Sequence, residues 1–145
     1  MRIRRAQEQD LAAFSQFSQS ESLGTGWGPN AFRDSLKNDQ DRLWVAMEAG
    51  DLKGFLVSRV IAGEAELLNV VVGSDSRRNG IGRELMRVWL EQMQEESVER
   101  LFLEVRVSNL PAINLYQCLG FKQVGTRVGY YQPDLEDALV MARGL

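Results

Sequence analysis

Glu104 stands inside Leu101-Phe102-Leu103-Glu104-Val105-Arg106-Val107, an apolar run broken only by this carboxylate and Arg106. On the two-residue period of a strand, Phe102, Glu104 and Arg106 share one face. A carboxylate so placed points to water, pairs with Arg106, or lines a cleft as a general base. The third reading gains weight from what the chain lacks, because it contains no histidine. Ser-His-Asp and Cys-His mechanisms and every histidine metal site are thereby removed. The single cysteine, Cys118, cannot build a thiolate zinc site, so no metal is expected. Proton transfer falls to Asp, Glu, Tyr or Lys. Tyr116 is the second candidate. It lies three residues after Ile113 in Pro111–Leu119, where a tyrosine either packs with its hydroxyl at the core's edge or serves as an acid. Cys118 reads as packing, since a covalent acyl-cysteine needs a partner base that is not identifiable here.

The third group is Arg77-Arg78-Asn79-Gly80-Ile81-Gly82-Arg83, between a strand pattern and a long helix pattern. Glycines let the backbone approach a ligand closely, and the first free N–H groups of a helix attract anions. The segment is neither a Walker loop nor Gly-x-Gly-x-x-Gly. It is either a phosphate site or a polar turn at a glycine-relaxed helix start, and the neighbouring arginines favour phosphate.

Positioning these residues requires a framework, and periodicity supplies one. Arg2–Arg5 reads as a strand, and Leu11, Phe14 and Phe17 mark a helix over Asp10–Phe17. Ser20–Pro29 is a loop, followed by a short helix through Ala31, Phe32 and Leu36. Leu43–Met47 and Lys53–Val60 flank Glu48-Ala49-Gly50-Asp51 as a hairpin, and Ala65–Val72 is a further strand. Ile81, Leu85, Val88, Trp89 and Met93 then form the stripe of an amphipathic helix reaching about Glu96. Arg100–Val107 is a strand. Pro111–Leu119 is a helix capped by Ser108 or Asn109 and stopped by Gly120. Lys122–Val128 and Asp137–Ala142 close the chain as strands. The order describes one mixed α/β domain over residues 1–145, not a series of identical βαβ units.

Composition bounds the function classes. The chain has 145 residues, 44% hydrophobic and 26% charged, with net charge −3. An acidic chain is a poor general nucleic-acid binder, because such affinity comes from neutralising phosphates. A cluster at Arg77, Arg78 and Arg83 in that acidic background suits one anionic ligand. No apolar run exceeds five residues, so no membrane span is expected, and Arg2, Arg4 and Arg5 precede no secretory apolar stretch. One cysteine suits a reducing cytoplasm. No oligomeric state is set; a monomer satisfies these residues.

Several motifs fall in one order: Val70-Val71-Val72; Arg77-x-x-Gly80-x-Gly82; Leu103-Glu104-Val105-Arg106 with Ser108-Asn109; and Ala112-Ile113-x-Leu115-Tyr116-x-x-Leu119-Gly120-Phe121. Together they resemble the GNAT acetyltransferase superfamily and, within it, the RimI type, ribosomal-protein alanine N-acetyltransferases. The resemblance runs from about Ala65 to Ala142. It implies the GNAT fold, a mixed and mostly antiparallel sheet with a splayed strand pair flanked by helices. It also implies acetyl-CoA as co-substrate, with its pyrophosphate held by Arg77, Arg78, Asn79, Gly80, Ile81, Gly82 and Arg83. The strand ending Asn69-Val70-Val71-Val72 would carry a bulge that splays it from its neighbour. Its main chain would pair with the pantetheine arm, and one N–H would polarise the thioester carbonyl. Asn109 would hydrogen-bond the same molecule, a role that can coexist with helix capping. By the same resemblance Glu104 serves as base, directly or through a water, and Tyr116 as acid beside the sulfur.

The resemblance to the RimI type also implies a groove for an N-terminal peptide, flanked by the Ser20–Pro29 and Tyr130–Asp134 loops. Trp27, Tyr130 and Tyr131 would contact the substrate, and Glu21 or Asp134 would attract a basic residue. Three departures fall in this groove. Gly26-Trp27-Gly28 replaces a common Pro-Trp, Gly129 stands where Asn is common, and Tyr131–Glu136 is short. The leading expectation is acetylation of the N-terminal alanine of a ribosomal protein. The alternatives are a small amine or a protein lysine as acceptor, or a CoA-binding module without turnover.

Overall fold

A computed structural model describes residues 1–21 and 27–145. Residues 22–26, half of the loop expected over Ser20–Pro29, lie outside that description. The strands are β1 (Arg2–Arg5), β2 (Asp41–Glu48), β3 (Asp51–Ile61), β4 (Glu64–Val72), β5 (Arg100–Arg106), β6 (Lys122–Arg127) and β7 (Ala138–Gly144). The helices are α1 (Leu11–Ser20), α2 (Pro29–Lys37), α3 (Ile81–Glu95) and α4 (Leu110–Cys118). The strands form one sheet in the order β1-β2-β3-β4-β5-β7-β6. Every pair is antiparallel except β4 with β5. This is the splayed, mixed sheet expected, with each strand and helix within a few residues of its sequence assignment.

Local chemistry explains the tight connections. Ala49 and Gly50 both have positive φ, 51° and 82°, as a two-residue hairpin turn requires. Ala62 and Gly63 repeat that turn between β3 and β4. Asn109 caps α4 by accepting from the Ala112 N–H at 3.3 Å, and Pro111 occupies the first turn, where a missing N–H costs nothing.

Two apolar layers sandwich the sheet. Beneath it, α3 and α4 bury Leu85, Met86, Trp89 and Ile113, joined by Phe121 just after α4, against Leu56, Leu67, Leu101, Leu103 and Val105. Above its N-terminal half, α1 and α2 bury Phe14, Phe17 and Phe32 against Val45, Phe55 and Val57. Phe14 and Phe32 stack at 4.3 Å. No described helix covers the upper face of the C-terminal half, and Phe102, Glu104 and Arg106 stand there partly exposed. Cys118 is exposed, not packed as expected; it sits at the end of α4, past the stripe that meets the core.

Gly54 on β3 shows how closely the strands meet. A Cβ there would lie 2.7 Å from the Val71 carbonyl oxygen and 3.4 Å from the Val72 Cα. Backbone cannot yield as a side chain would. Gly54→Ala should therefore cost about 1–3 kcal/mol, seen as a fall of several degrees in Tm. An unchanged melting curve would show that the strands part freely.

Candidate active site

The site is made where β4 leaves β5. Their parallel ladder runs from Glu64–Arg100 to Leu67–Leu103 and stops. At the same level β4 carries a bulge: Ser58 on β3 faces Leu67, but Val57 faces Asn69, so Leu68 is the extra residue. The bulge expected in this strand is thus present, at Leu68. It also reverses the alternation of side chains. Ala65 and Leu67 face the α3–α4 layer before it, and Val70 and Val72 face that layer after it. Beyond the split, β4 pairs only with β3 through Val72. Main-chain groups of Val70, Val71 and Val72 that turn from β3 find no strand opposite, which makes an edge ready for an extended ligand.

A cleft of about 610 Å³ opens along this edge, lined by Asn69, Val70, Glu104, Asn109, Tyr116, Tyr130 and Tyr131, among others. The sequence-derived acid, base, cap and tyrosine pair thus meet in one place. Glu104 reaches it from the open face of β5, with its side chain 17% exposed. Its Oε1 accepts from Arg127 Nε at 3.0 Å, and its Oε2 is buried without a partner among the described residues. Arg106, the partner sequence proximity suggested, is engaged elsewhere. It binds Asp134 at 2.8 Å and Glu136 at 3.1 Å, and its guanidinium lies 4.2 Å from the Tyr131 ring centre. Asp134 is thus engaged in an ion pair with Arg106, which it shares with Glu136. Glu21 accepts from the Ser74 N–H at 2.9 Å and from its hydroxyl at 3.2 Å, neutral partners that do not offset a carboxylate's charge.

Tyr116 approaches from the opposite side. On α4, its ring packs 6.2 Å from Phe121 within the lower layer, and the residue is only 6% exposed. Burial, then the nearby Tyr131, pushes its phenol up to about 12. It stays protonated across any physiological pH and remains a donor. Above the cleft, Tyr130 and Tyr131 meet edge-to-face at 5.1 Å. The Tyr130 hydroxyl is raised first by its hydrogen-bonding contact with Glu104, then by that carboxylate's charge. Glu104 Oε2 nonetheless has no hydrogen-bond partner among the described residues. Burial and Glu104 likewise raise Tyr131.

At the far end of the split lies the arginine–glycine turn. Arg78 has φ 68° and Gly80 φ 77°, a left-handed pair that turns the chain into α3. No side chain caps α3, so the N–H groups of Ile81, Gly82 and Arg83 face outward without intrahelical partners. A Cβ at Gly80 would meet no atom within 4 Å, and one at Gly82 would only touch Val72 Cγ2 at 3.6 Å. Arg77, Arg78, Asn79 and Arg83 are exposed, and no ion pair among the described residues engages the three arginines. Open space, free donors and unpaired cations fit a diphosphate. Asn109 spends its Oδ1 on the helix cap and still lines the cleft.

Trp27 stands apart from these residues. It packs on Phe55 at 6.0 Å and lines a separate hollow with Ala31, Asp34 and Arg59, which meets the main cleft at Leu68. Two site features escaped sequence reasoning. Arg127 holds Glu104 from 23 residues away, which no local pattern reveals. Asn69 was passed over although its signal was present: it is the one polar side chain in Leu67-Leu68-Asn69-Val70-Val71-Val72.

A split sheet leading to a bare helix N-terminus, with a carboxylate and a phenol at the split, defines an acyl-CoA-type N-acetyltransferase scaffold. The chain belongs to the acetyltransferase (GNAT) family, whose model matches residues 7–121. That match takes in the turn, Glu104 and Tyr116 and stops short of the Tyr130–Tyr131 loop. The ribosomal protein bS18-alanine N-acetyltransferase of Escherichia coli K12 is 39% identical over 95 residues, 64% of this chain and 64% of that protein. The chain thus spans just under two thirds of that relative's length in the matched stretch. The N-alpha-acetyltransferase of Sulfurisphaera tokodaii is 37% identical over 127 residues, 79% of this chain and 75% of that protein. The crystal structure of the ribosomal-protein-S18-alanine N-acetyltransferase from Escherichia coli superposes with a TM-score of 0.89 at 30% identity, covering 99% of this chain and 92% of that one.

Proposed function

We propose that this protein transfers an acetyl group from acetyl-CoA to the N-terminal amine of a protein, with the N-terminal alanine of a ribosomal protein as the leading acceptor. The observation that carries this reading is the placement of Glu104 and Tyr116 on opposite faces of the sheet at the point where β4 and β5 part. The names of the bacterial and archaeal relatives, an alanine N-acetyltransferase and an N-alpha-acetyltransferase, favour an N-terminus over a lysine.

Bound acetyl-CoA supplies an activated thioester. The α3 N-terminus with Arg77 and Arg78 holds its diphosphate, Asn109 adds an amide contact, and the free edge of Val70–Val72 pairs with its arm. An N–H of that edge acts as the donor to the acyl oxygen. Glu104 faces the incoming amine from the open side. Arg127 fixes Oε1, so Oε2 is the oxygen left to accept a proton, directly or through a water. Tyr116 donates to the departing sulfur from the helix side. Tyr130 and Tyr131 wall the acceptor's approach. Magnitudes agree with an N-terminus: neutralising an α-amine of pKa about 7.7–8.0 at pH 7 costs roughly 1 kcal/mol, against nearer 5 for a lysine of about 10.4. One carboxylate suffices for the smaller demand.

Thiol release should be followed with a peptide beginning Ala-Arg, and with the same peptide bearing a blocked terminus and an internal lysine. Turnover confined to the free terminus is the expected result. Turnover of the lysine peptide, or of small amines alone, would remove the N-terminal reading and leave the fold assignment standing.

A further inference from the structure

Asn69 has no part in the reaction as described, yet the strand register sets it beside the reacting atoms. Leu67 and Leu103 make the last rung between β4 and β5. Glu104 stands one rung beyond Leu103. Because Leu68 is the extra residue of the bulge, Asn69 stands one rung beyond Leu67. The two residues therefore come level across the opening. They also share a face: Asn69 lies opposite Val57, whose side chain belongs to the upper layer, and Glu104 projects from the upper face of β5. Both line the cleft.

Each also carries a buried atom without a partner among the described residues. On Asn69 it is the donor Nδ2, and on Glu104 the acceptor Oε2. Native interiors keep few such atoms, because a buried polar group left unpaired is costly. A donor and an acceptor orphaned at one level of one cleft point to a ligand carrying both complements. An amino terminus is such a ligand, since its nitrogen donates and its first carbonyl oxygen accepts, with two carbons between them. A lysine side chain or an alkylamine offers the nitrogen alone.

We propose that Asn69 is a specificity-determining residue, its Nδ2 donating to the first carbonyl oxygen of the acceptor while Glu104 receives the amine. Together the pair reads N–Cα–C=O and selects a chain terminus over a side-chain amine. This inference rests on the N-terminal reading above.

The test compares wild type with Asn69→Leu, which keeps the volume and removes the donor, and Asn69→Asp, which replaces it with an acceptor. Each is assayed with a free-terminus peptide and with a simple alkylamine. Asn69→Leu should reduce the ratio of kcat/KM for peptide over alkylamine by about 10- to 100-fold, carried mainly by the peptide KM, and Asn69→Asp should reduce it further. The unliganded Asn69→Leu protein should melt no lower than wild type, because a leucine leaves no unpaired donor. A lower melting point would mean that the amide is already satisfied within the fold and would overturn the assignment. Equal losses on both acceptors, or an unchanged ratio, would overturn it too. If wild type itself ignores the free terminus, the N-terminal reading fails and takes this one with it. If wild type prefers the terminus and Asn69→Leu keeps that preference, only the role of Asn69 falls.

Discussion

Replacing Glu104 by glutamine should lower turnover of an N-terminal peptide by about 10²- to 10⁴-fold at pH 7, the span a positioned acid or base usually contributes. Glutamine keeps an oxygen for Arg127 and the same bulk against Tyr130, so the fold and the KM for acetyl-CoA should hold. The loss should shrink as pH rises. Above about pH 8 an α-amine is already neutral, and the proton Glu104 would remove is gone before the amine arrives. A deficit under twofold at pH 7 would mean that the cleft's carboxylate is not the base. Pairing with Arg127 would then be its main business.

Tyr116→Phe should cost about 10²-fold in kcat, the lower end of that range, because a thiol of pKa about 8.5 leaves with less help than an amine. The pH profile carries the sharper test. Burial raises the Tyr116 phenol to about 12. An acid with a raised pKa keeps its proton further into alkali, so wild-type kcat should rise with amine deprotonation to about pH 8 and then stay level past pH 10. A fall centred near pH 10, the ordinary tyrosine value, would show a wet, unperturbed hydroxyl and remove the acid role. The same shift has a stability counterpart. Its contribution is intact below about pH 10 and lost as pH climbs towards 12, since the unfolded chain releases the proton first.

Most of the framework was legible residue by residue because its signals are local. The Ile81–Leu85–Trp89–Met93 stripe predicts a helix from 3.6-residue spacing, and the alternation around Glu104 predicts its strand face; both are present. Asn109 as cap and Ala49-Gly50 as turn depend only on neighbours within four residues. The arginine–glycine segment was readable as an anion site for the same reason, since a helix start makes its own donors. Long-range choices were not readable. Arg106 sits two residues from Glu104, on the same face, yet binds Asp134 and Glu136, while Arg127 crosses from β6. Strand order decided that exchange, because β7 lies between β5 and β6. The internal partners of the acidic residues expected to draw in a substrate cation, Ser74 for Glu21 and Arg106 for Asp134, were unreadable for similar reasons.

The residue types, with histidine absent, a carboxylate inside the apolar run around Glu104 and a tyrosine on the following helix, already left any proton transfer to Asp, Glu, Tyr or Lys. Period and motif order limited the scaffold. The working relation between those groups is a property of the assembled sheet. A single extra residue at Leu68 reverses the facing of β4, ends its ladder with β5, and sets Asn69 level with Glu104 while Tyr116 waits on the other side. A bulge is a mismatch between two paired strands, so it has no signature in either strand alone, and what it opens exists only once both have found their partners.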